Sequence, residues 1–326
     1  MGKRLKMIDV ANKEVTFEDA FEAFVADKEL LGCAKSTIRN YKLSYDYFID
    51  FEFDGDYTKN VNDDNLKIYV QQWAASMKKA KMRISSINHY LRDLRTFLYW
   101  CMNEERRYIE TSFKIELLKG QEELPKMFTD EEVEILMQKP TNTTDWVEWR
   151  NWTIVNWVLA TGNRAQTICN VKIGDIDFTN KELALRHTKN KKAQIAVLPE
   201  ELAKVLKEYI KRCMNGRGTD DWFFPAATGN QLSVDALSHS FGKYCKERGV
   251  ERTNLHGLRH YFATSWIRNG GSGDKLQRAL GHTDYSMTKR YINLVDADLK
   301  EDYEKFNPLS NLKRNASRKH NVSMKE

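Results

Sequence analysis

Four segments in the first third of the chain repeat apolar residues at helical spacing. In the first, Phe17, Phe21 and Phe24 recur every three or four residues. Thr16, a residue type that caps helices, precedes them, and acidic residues follow in the first turn. The other three predicted helices begin at Ser36, within residues 61–77 and within residues 85–105. The pattern therefore predicts a four-helix unit over residues 15–118.

The periodicity lapses over residues 119–126, KGQEELPK, where a proline appears. It resumes at Thr129, which precedes a run of acids and predicts a capped helix. Residues 146–161 then place four tryptophans in a helical apolar stripe, which we interpret as core rather than as a base-stacking surface. We expect an extension at 1–14, domains at 15–118 and 127–308, a linker at 119–126 and a basic, disordered tail at 309–326.

Residues 171–198 have the short alternation of strands. Ile173, Ile176 and Phe178 precede a turn at Thr179-Asn180, and the segments LALRHT and QIAVL flank the polar stretch KNKK. These segments predict short strands, the last two joined as a hairpin, within an otherwise helical second domain.

Composition narrows the class of protein only mildly. A chain of 326 residues favours two domains, and a net charge of +6 permits binding to a polyanion without requiring it. The five cysteines form no CxxC pair, which indicates reduced thiols in a cytosolic protein. Neither a signal peptide nor an apolar run long enough to span a membrane is recognisable, so we expect a cytoplasmic protein.

The chemistry is concentrated between Leu255 and Leu294. That stretch holds two histidines and an arginine in HGLRH, a third histidine in LGH, and a tyrosine nine positions later, while ATGNRAQTI supplies a further arginine upstream. Arginines and histidines can neutralise and protonate a phosphodiester, and a tyrosine can attack it. The pattern indicates cleavage of a nucleic-acid backbone through a covalent bond to the protein.

The three motifs are Thr161-Gly162-Asn163-Arg164, His256-Gly257-Leu258-Arg259-His260, and Leu280-Gly281-His282 followed by Tyr291. In their residues, order and spacing the chain resembles the tyrosine recombinase (phage integrase) family. The resemblance implies a mainly α fold: an N-terminal four-helix core-binding (SAM-like) domain, and a mixed α/β, mostly helical catalytic domain with a small antiparallel sheet.

The resemblance also implies a role for each motif residue. The catalytic positions are Arg164, Lys189, His256, Arg259, His282 and Tyr291, with His260 in support. Tyr291 would attack the scissile phosphate, giving a 3′-phosphotyrosyl link and a free 5′-hydroxyl. The arginines and the histidine of the third motif would stabilise the transition state, and His256 would assist proton transfer at the tyrosine. Lys189 would protonate the leaving oxygen, with Lys191 and Lys192 as alternatives.

Two features of the motifs leave questions open. The family often has an acid three positions after its first arginine, where this chain has Thr167, so how Arg164 is held is not determined. His256 and His260 have the spacing of a zinc-binding pair, but Gly257 stands where the zinc-protease pattern requires Glu, and no third ligand fits. We therefore expect no metal and no cofactor.

The expected partner is double-stranded DNA carrying specific recombination sites, bound by monomers that form a homotetramer on synapsed DNA, with an accessory directionality factor as a further partner. A basic run in the first domain is a candidate phosphate contact, or else a solvated loop; its residues are Lys78, Lys79, Lys81 and Arg83. Because about fifteen residues precede the first helix, we expect a compact two-domain recombinase of the integrase or transposon type, without the arm-binding domain of larger integrases. The segment after Tyr291 would dock on a neighbouring protomer or pack locally.

The biological role we favour is integration or excision of a mobile genetic element in the bacterial cytoplasm. The alternatives are an Xer-like recombinase that resolves chromosome dimers, a type IB topoisomerase-like enzyme, and a non-catalytic DNA-binding regulator. Relaxation of arbitrary plasmids would indicate the topoisomerase, and DNA binding without a covalent adduct would indicate the regulator or a missing accessory protein.

Overall fold

A computed structural model describes residues 15–53, 60–103, 105, 108–120, 127–141, 145–185 and 194–295. The chain divides into two compact units, Met1–Glu123 and Leu124–Glu326. Several predictions lie outside the described residues: the N-terminal extension, most of the linker, the hairpin tip with Lys189, Lys191 and Lys192, the segment from residue 296 and the basic tail.

The first unit contains the four predicted helices. They are α1 Phe17–Leu30, α2 Lys35–Ile49, α3 Leu66–Lys79 and α4 Ile84–Cys101. Thr16 caps α1 as expected, since its side-chain oxygen accepts the backbone N–H of Asp19 at 3.1 Å. The long α4 contacts each of the other three helices, and Phe97 on it packs edge to face against Phe21. The aromatic stripes recognised in the sequence thus face one another in a common core.

The side chain of Asn88 holds the backbone of Leu118 through two hydrogen bonds, a contact that we call the Asn88 clamp. The amide nitrogen of Asn88 donates to the backbone carbonyl of Leu118 at 2.9 Å, and the Leu118 N–H donates to the Asn88 amide oxygen at 2.8 Å. Asn88 is buried, so its side chain satisfies both backbone groups of Leu118 where water has little access. The segment after α4 is thereby held along that helix.

The second unit is mostly helical, with one small sheet. Its helices are α5 Asp130–Met137, α6 Trp146–Thr161, α7 Ala165–Cys169, α8 Glu200–Cys213, α9 Val234–Glu247, α10 Leu255–Arg268, α11 Gly273–Leu280 and α12 Ser286–Val295. The strands β1 Ile176–Asp177, β2 Glu182–Leu185 and β3 Gln194–Val197 pair antiparallel in that order, with Leu183 opposite Ala196. The predicted hairpin is confirmed in its two arms.

One sequence interpretation differs from the structure. Ile173 lies in a 3-10 turn over Ile173–Asp175, not in a strand. The Asp175 carboxylate accepts the backbone N–H of Lys172 at 2.9 Å, which favours a turn over an extended strand.

Helix α6 forms the centre of the second unit. Its Trp149, Trp152 and Trp157 are buried, which confirms that these tryptophans are core residues. Because the helix packs against α5, α8, α9 and α10, its C-terminal end, where the first motif begins, is held in place. None of the helices in the described ranges is both long enough and apolar enough to cross a membrane.

Candidate active site

The first motif turns sharply at the end of α6. Gly162 caps the helix with φ +63°, a left-handed conformation that favours glycine. A Cβ on Gly162 would lie 2.5 Å from the ring of Phe262 and 2.6 Å from the side chain of Leu280, so glycine is needed for space as well. The next residue, Asn163, is buried and accepts the indole N–H of Trp157 at 2.9 Å. These contacts fix the backbone position from which the Arg164 side chain extends.

Arg164 is half-buried at the start of α7. Its guanidinium makes no hydrogen bond or ion pair with any residue in the described ranges, and Thr167, where the family often has an acid, is buried on α7. Burial lowers the pKa of Arg164, while the nearby Tyr291 opposes that shift. The structure therefore holds a guanidinium whose donors are available to an anion.

Arg259 joins the three motifs. It is 2% exposed, and its guanidinium donates to the carbonyl of Gly162 at 2.5 Å, to the carbonyl of Leu280 at 3.0 Å and to Nε2 of His282 at 2.9 Å. Burial, together with Arg164, lowers the pKa of Arg259 to about 10, which leaves it charged at neutral pH. No carboxylate of the described chain pairs with either arginine, so this cluster of side chains carries uncompensated positive charge.

His282 has both ring nitrogens engaged. Because a guanidinium can only donate, Nε2 accepts from Arg259, and Nδ1 carries the hydrogen that it donates to the hydroxyl of Thr288 at 2.8 Å. Burial and the two arginines lower the pKa of His282 to about 4, so the ring is neutral at neutral pH. Thr288 is fully buried, and our sequence reasoning missed it. Its position three residues before Tyr291 on a helix was the available signal.

Tyr291 lies on α12 and is 5% exposed. Its ring is nearly parallel to that of His282, with centroids 6.4 Å apart, and its hydroxyl lies 3.0 Å from Nδ1 of His260. Burial raises the pKa of Tyr291, and Arg259 and Arg164 oppose that shift. The phenol is therefore protonated in the free protein and must lose its proton to become a nucleophile.

Of the two histidines in the second motif, the structure places the second, His260, against the phenol of Tyr291. His260, interpreted as a supporting residue, contacts the hydroxyl of Tyr291, whereas His256 is exposed and packs edge to face against His260, with centroids 4.5 Å apart. Desolvation by the surrounding protein lowers the pKa of His256 to about 4, with further contributions from His260, Arg259 and Arg164. Both rings remain within the cluster, but only one touches the phenol.

The remaining candidate residues lie apart from this cluster. Lys189 falls outside the described residues. Lys78 and Lys79 end α3, and Lys81 and Arg83 lie in the turn before α4; all four are exposed in the first unit, without an ion pair to a described carboxylate. The part of the chain that the structure describes contains no group of three or more His, Cys, Asp or Glu side chains arranged to hold a metal ion.

Comparison with known proteins identifies the class. Residues 126–298 match the model of the phage integrase family, which is more than half of the chain. The chain belongs to the phage integrase family, and by class it is a tyrosine site-specific recombinase.

Its relatives extend over nearly the whole chain. It is 29% identical over 300 residues to the tyrosine recombinase XerA of Pyrococcus furiosus, covering 90% of this chain and 96% of the relative. It is 26% identical over 286 residues to the tyrosine recombinase XerD of Listeria monocytogenes, covering 85% and 94%.

Solved structures of two integrases share the fold. The Tn1549 transposon integrase in complex with transposon right end DNA aligns with a TM-score of 0.69 at 15% identity, covering 90% of this chain and 99% of that chain. A lambda integrase tetramer bound to a Holliday junction aligns with a TM-score of 0.67 at 16% identity, covering 86% and 78%. The mostly helical fold with a small antiparallel sheet is confirmed.

Proposed function

We propose that this protein cleaves and rejoins double-stranded DNA at specific sites through a 3′-phosphotyrosyl link carried by Tyr291. The observation that carries the proposal is the convergence of the three motifs. The phenol of Tyr291, the half-buried Arg164 and the buried Arg259 lie in one cluster whose positive charge no described carboxylate neutralises. Such a cluster favours a phosphodiester, and the phenol supplies a nucleophile beside it.

In the proposed reaction the arginines stabilise the five-coordinate phosphate. Arg164 donates two parallel hydrogen bonds to the non-bridging oxygens. Arg259 has two of its five N–H groups left for the phosphate after its contacts with Gly162, Leu280 and His282. His282 holds Arg259 in the free protein. Donation from His282 to the phosphate requires a proton on Nε2, which the contact with Arg259 excludes until the phosphate displaces it.

The leaving 5′-oxygen needs a proton donor. We assign this role to a lysine of the β2–β3 hairpin, Lys189 with Lys191 and Lys192 as alternatives, because these residues lie between two described strands of the catalytic unit. The energy of the cleaved bond is kept in the phosphotyrosine, so a 5′-hydroxyl from a second duplex can attack it and restore the DNA without ATP.

We further propose that monomers assemble as a tetramer on two synapsed DNA sites, with an accessory protein setting the direction of exchange. The lambda integrase that shares this fold was solved as a tetramer bound to a Holliday junction, which supports this arrangement. For the biological role we favour a mobile element in a bacterial cytoplasm. Resolution of chromosome dimers is the second candidate, because relatives along nearly the full chain are XerA and XerD recombinases.

Covalent trapping tests the reaction. Duplexes would be selected for binding from a random-sequence pool with the Tyr291→Phe variant, then end-labelled, mixed with wild-type protein without divalent metal and run on a denaturing gel. We expect a protease-sensitive adduct with wild type alone, formed by the fragment that ends in a 3′-phosphate. Tight binding without an adduct would contradict the proposal, and relaxation of unselected plasmids would indicate a topoisomerase.

The basic run of the first unit is proposed to contact phosphates. Replacing Lys78, Lys79, Lys81 and Arg83 by Gln together should weaken binding to all sequences alike and reduce the salt slope of binding by roughly 0.9 per lost phosphate contact. Swapping the same four residues between Lys and Arg keeps the charge and serves as the control. An unchanged slope in the Gln variant would mean that these residues do not touch DNA.

A further inference from the structure

We propose that His260 accepts the phenol proton of Tyr291 during strand cleavage and returns it during rejoining. The inference rests on the proposed function and adds a residue to it. His260 would be a catalytic residue, because its Nδ1 touches the oxygen that forms the new bond to phosphorus.

Nδ1 of His260 lies 3.0 Å from the Tyr291 hydroxyl, within hydrogen-bond reach of the proton to be moved. The two residues belong to α10 and α12, which pack against each other, so their proximity results from the core. Tyr291 is 5% exposed, which limits the access of water as a competing acceptor.

The other two histidines are less suited to this step. His282 has one ring nitrogen engaged by Arg259 and the other by Thr288. The ring of His256 makes no hydrogen bond with a residue in the described ranges, and its side chain is exposed. Among the described histidines, His260 is the one whose ring nitrogen contacts the phenol.

The ionisable groups around His260 are His256 and Arg259 on its own helix, Tyr291 and Arg290 on α12, Arg164 after α6 and His282 after α11. Burial, and then Arg259, lower the pKa of His260, while burial raises the pKa of Tyr291. A neutral imidazole therefore faces a protonated phenol, the pair of states from which the transfer must start.

The O–H bond of Tyr291 breaks and its proton moves to Nδ1 of His260, while the phenolate oxygen forms a bond to phosphorus. The bond from phosphorus to the 5′-oxygen breaks, and that oxygen takes a proton from the leaving-group acid. In rejoining, the 5′-hydroxyl forms a bond to phosphorus and gives its proton to the conjugate base of that acid. The bond from phosphorus to the Tyr291 oxygen breaks, and the imidazolium of His260 returns its proton to the departing phenolate.

A spectroscopic test needs no DNA. In the full-length protein with ¹⁵N-labelled histidines, Nδ1 of His260 should have the shift of an unprotonated, hydrogen-bonded nitrogen, and that shift should move in the Tyr291→Phe variant. The signal is assigned by its absence in His260→Asn. A protonated Nδ1, or a shift unaffected by Tyr291→Phe, would overturn the proposal.

A kinetic test separates proton transfer from positioning. In His260→Asn, the amide can replace Nδ1 as a hydrogen-bond acceptor but cannot take a proton, whereas His260→Ala removes both functions. We expect both variants to form the covalent adduct about 10² to 10⁴-fold more slowly than wild type at neutral pH. Their rates should also rise steadily with pH as hydroxide replaces the base. A His260→Asn variant as fast as wild type would limit His260 to a positioning role.

A modified substrate distinguishes the base from the leaving-group acid. When sulfur replaces the bridging 5′-oxygen, the leaving thiolate needs no proton, so variants that lack the acid should recover, whereas His260→Asn should stay slow. Recovery of His260→Asn would reassign it to the leaving group. If wild type itself forms no adduct, the proposed function fails; if wild type reacts and His260→Asn matches it, only this inference fails.

Discussion

Replacing Gly162 by Ala tests whether the site depends on the close packing behind its first arginine. The alanine backbone would have to adopt a φ near +63°, and the new Cβ would lie 2.5 Å from the Phe262 ring and 2.6 Å from the Leu280 side chain. The left-handed backbone costs about 1–2 kcal/mol for alanine. Overpacking in a filled core adds about 1–3 kcal/mol, because both neighbouring side chains are themselves buried. We therefore expect the free energy of unfolding to fall by about 2–5 kcal/mol.

Gly249→Ala provides the matched control. Gly249 also follows a helix in the same unit with φ +74°, but a Cβ there meets nothing within 4 Å. It should lose only the backbone contribution of about 1–2 kcal/mol. Urea unfolding can be followed by tryptophan fluorescence, since six of the eight tryptophans lie in the second unit. Equal losses in the two variants would refute the packing argument.

The same substitution has a second, chemical readout. The carbonyl of Gly162 accepts from Arg259, so displacement of the turn should move both arginines relative to the phosphate. Gly162→Ala should therefore slow adduct formation at a temperature where the protein is still folded, whereas Gly249→Ala should not. Normal adduct formation in a destabilised Gly162→Ala protein would mean that the turn can shift without disturbing the arginines.

Three further predictions follow from contacts described above. Thr288→Val keeps the shape of the side chain but leaves the buried Nδ1–H of His282 without its partner, so stability should fall by about 1–3 kcal/mol and cleavage should slow; Thr288→Ser, which keeps the hydroxyl, should retain more of both. The free energy of unfolding should be steady above pH 6.5 and decline towards pH 4, because unfolded histidine gains its proton near 6.5 whereas folded His282 and His256 resist until about 4; His282→Gln should remove the part of that decline that is due to His282, and an unchanged pH profile would contradict the assignment. Asn88→Ala should destabilise the first unit by about 1–3 kcal/mol and remove hydrogen-exchange protection at Leu118, and retained protection would contradict the clamp.

Periodicity and motif spacing predicted the helices of the first unit, the core role of the α6 tryptophans and the clustering of the motif residues. These features depend on local pattern, or on a resemblance that spans the whole motif. Ile173 was misassigned because apolar spacing does not record the contact between Asp175 and the Lys172 backbone. The sequence can place a residue on a helix, but such local interactions decide where the helix or strand begins.

The contacts within the site were harder to predict. His260 and Tyr291 are 31 positions apart, and the two histidines of HGLRH lie one turn apart on the same face of α10, where their rings contact each other. Which of them meets the phenol therefore depends on the position of α12 along α10, and a shift of one helical turn, roughly 5.4 Å, would be enough to exchange them. Thr288 was missed for a related reason: its hydroxyl becomes significant only when the ring of His282 lies above it.

The order of the site along the chain has a consequence for protein synthesis. The arginines come first, and Tyr291 lies on α12, the last helix of the described residues. A nascent or prematurely ended chain that stops before α12 can hold residues for binding phosphate, but it has no group with which to open the backbone. Under the proposed mechanism, such incomplete products cannot cleave DNA, so premature termination of translation does not yield a nuclease.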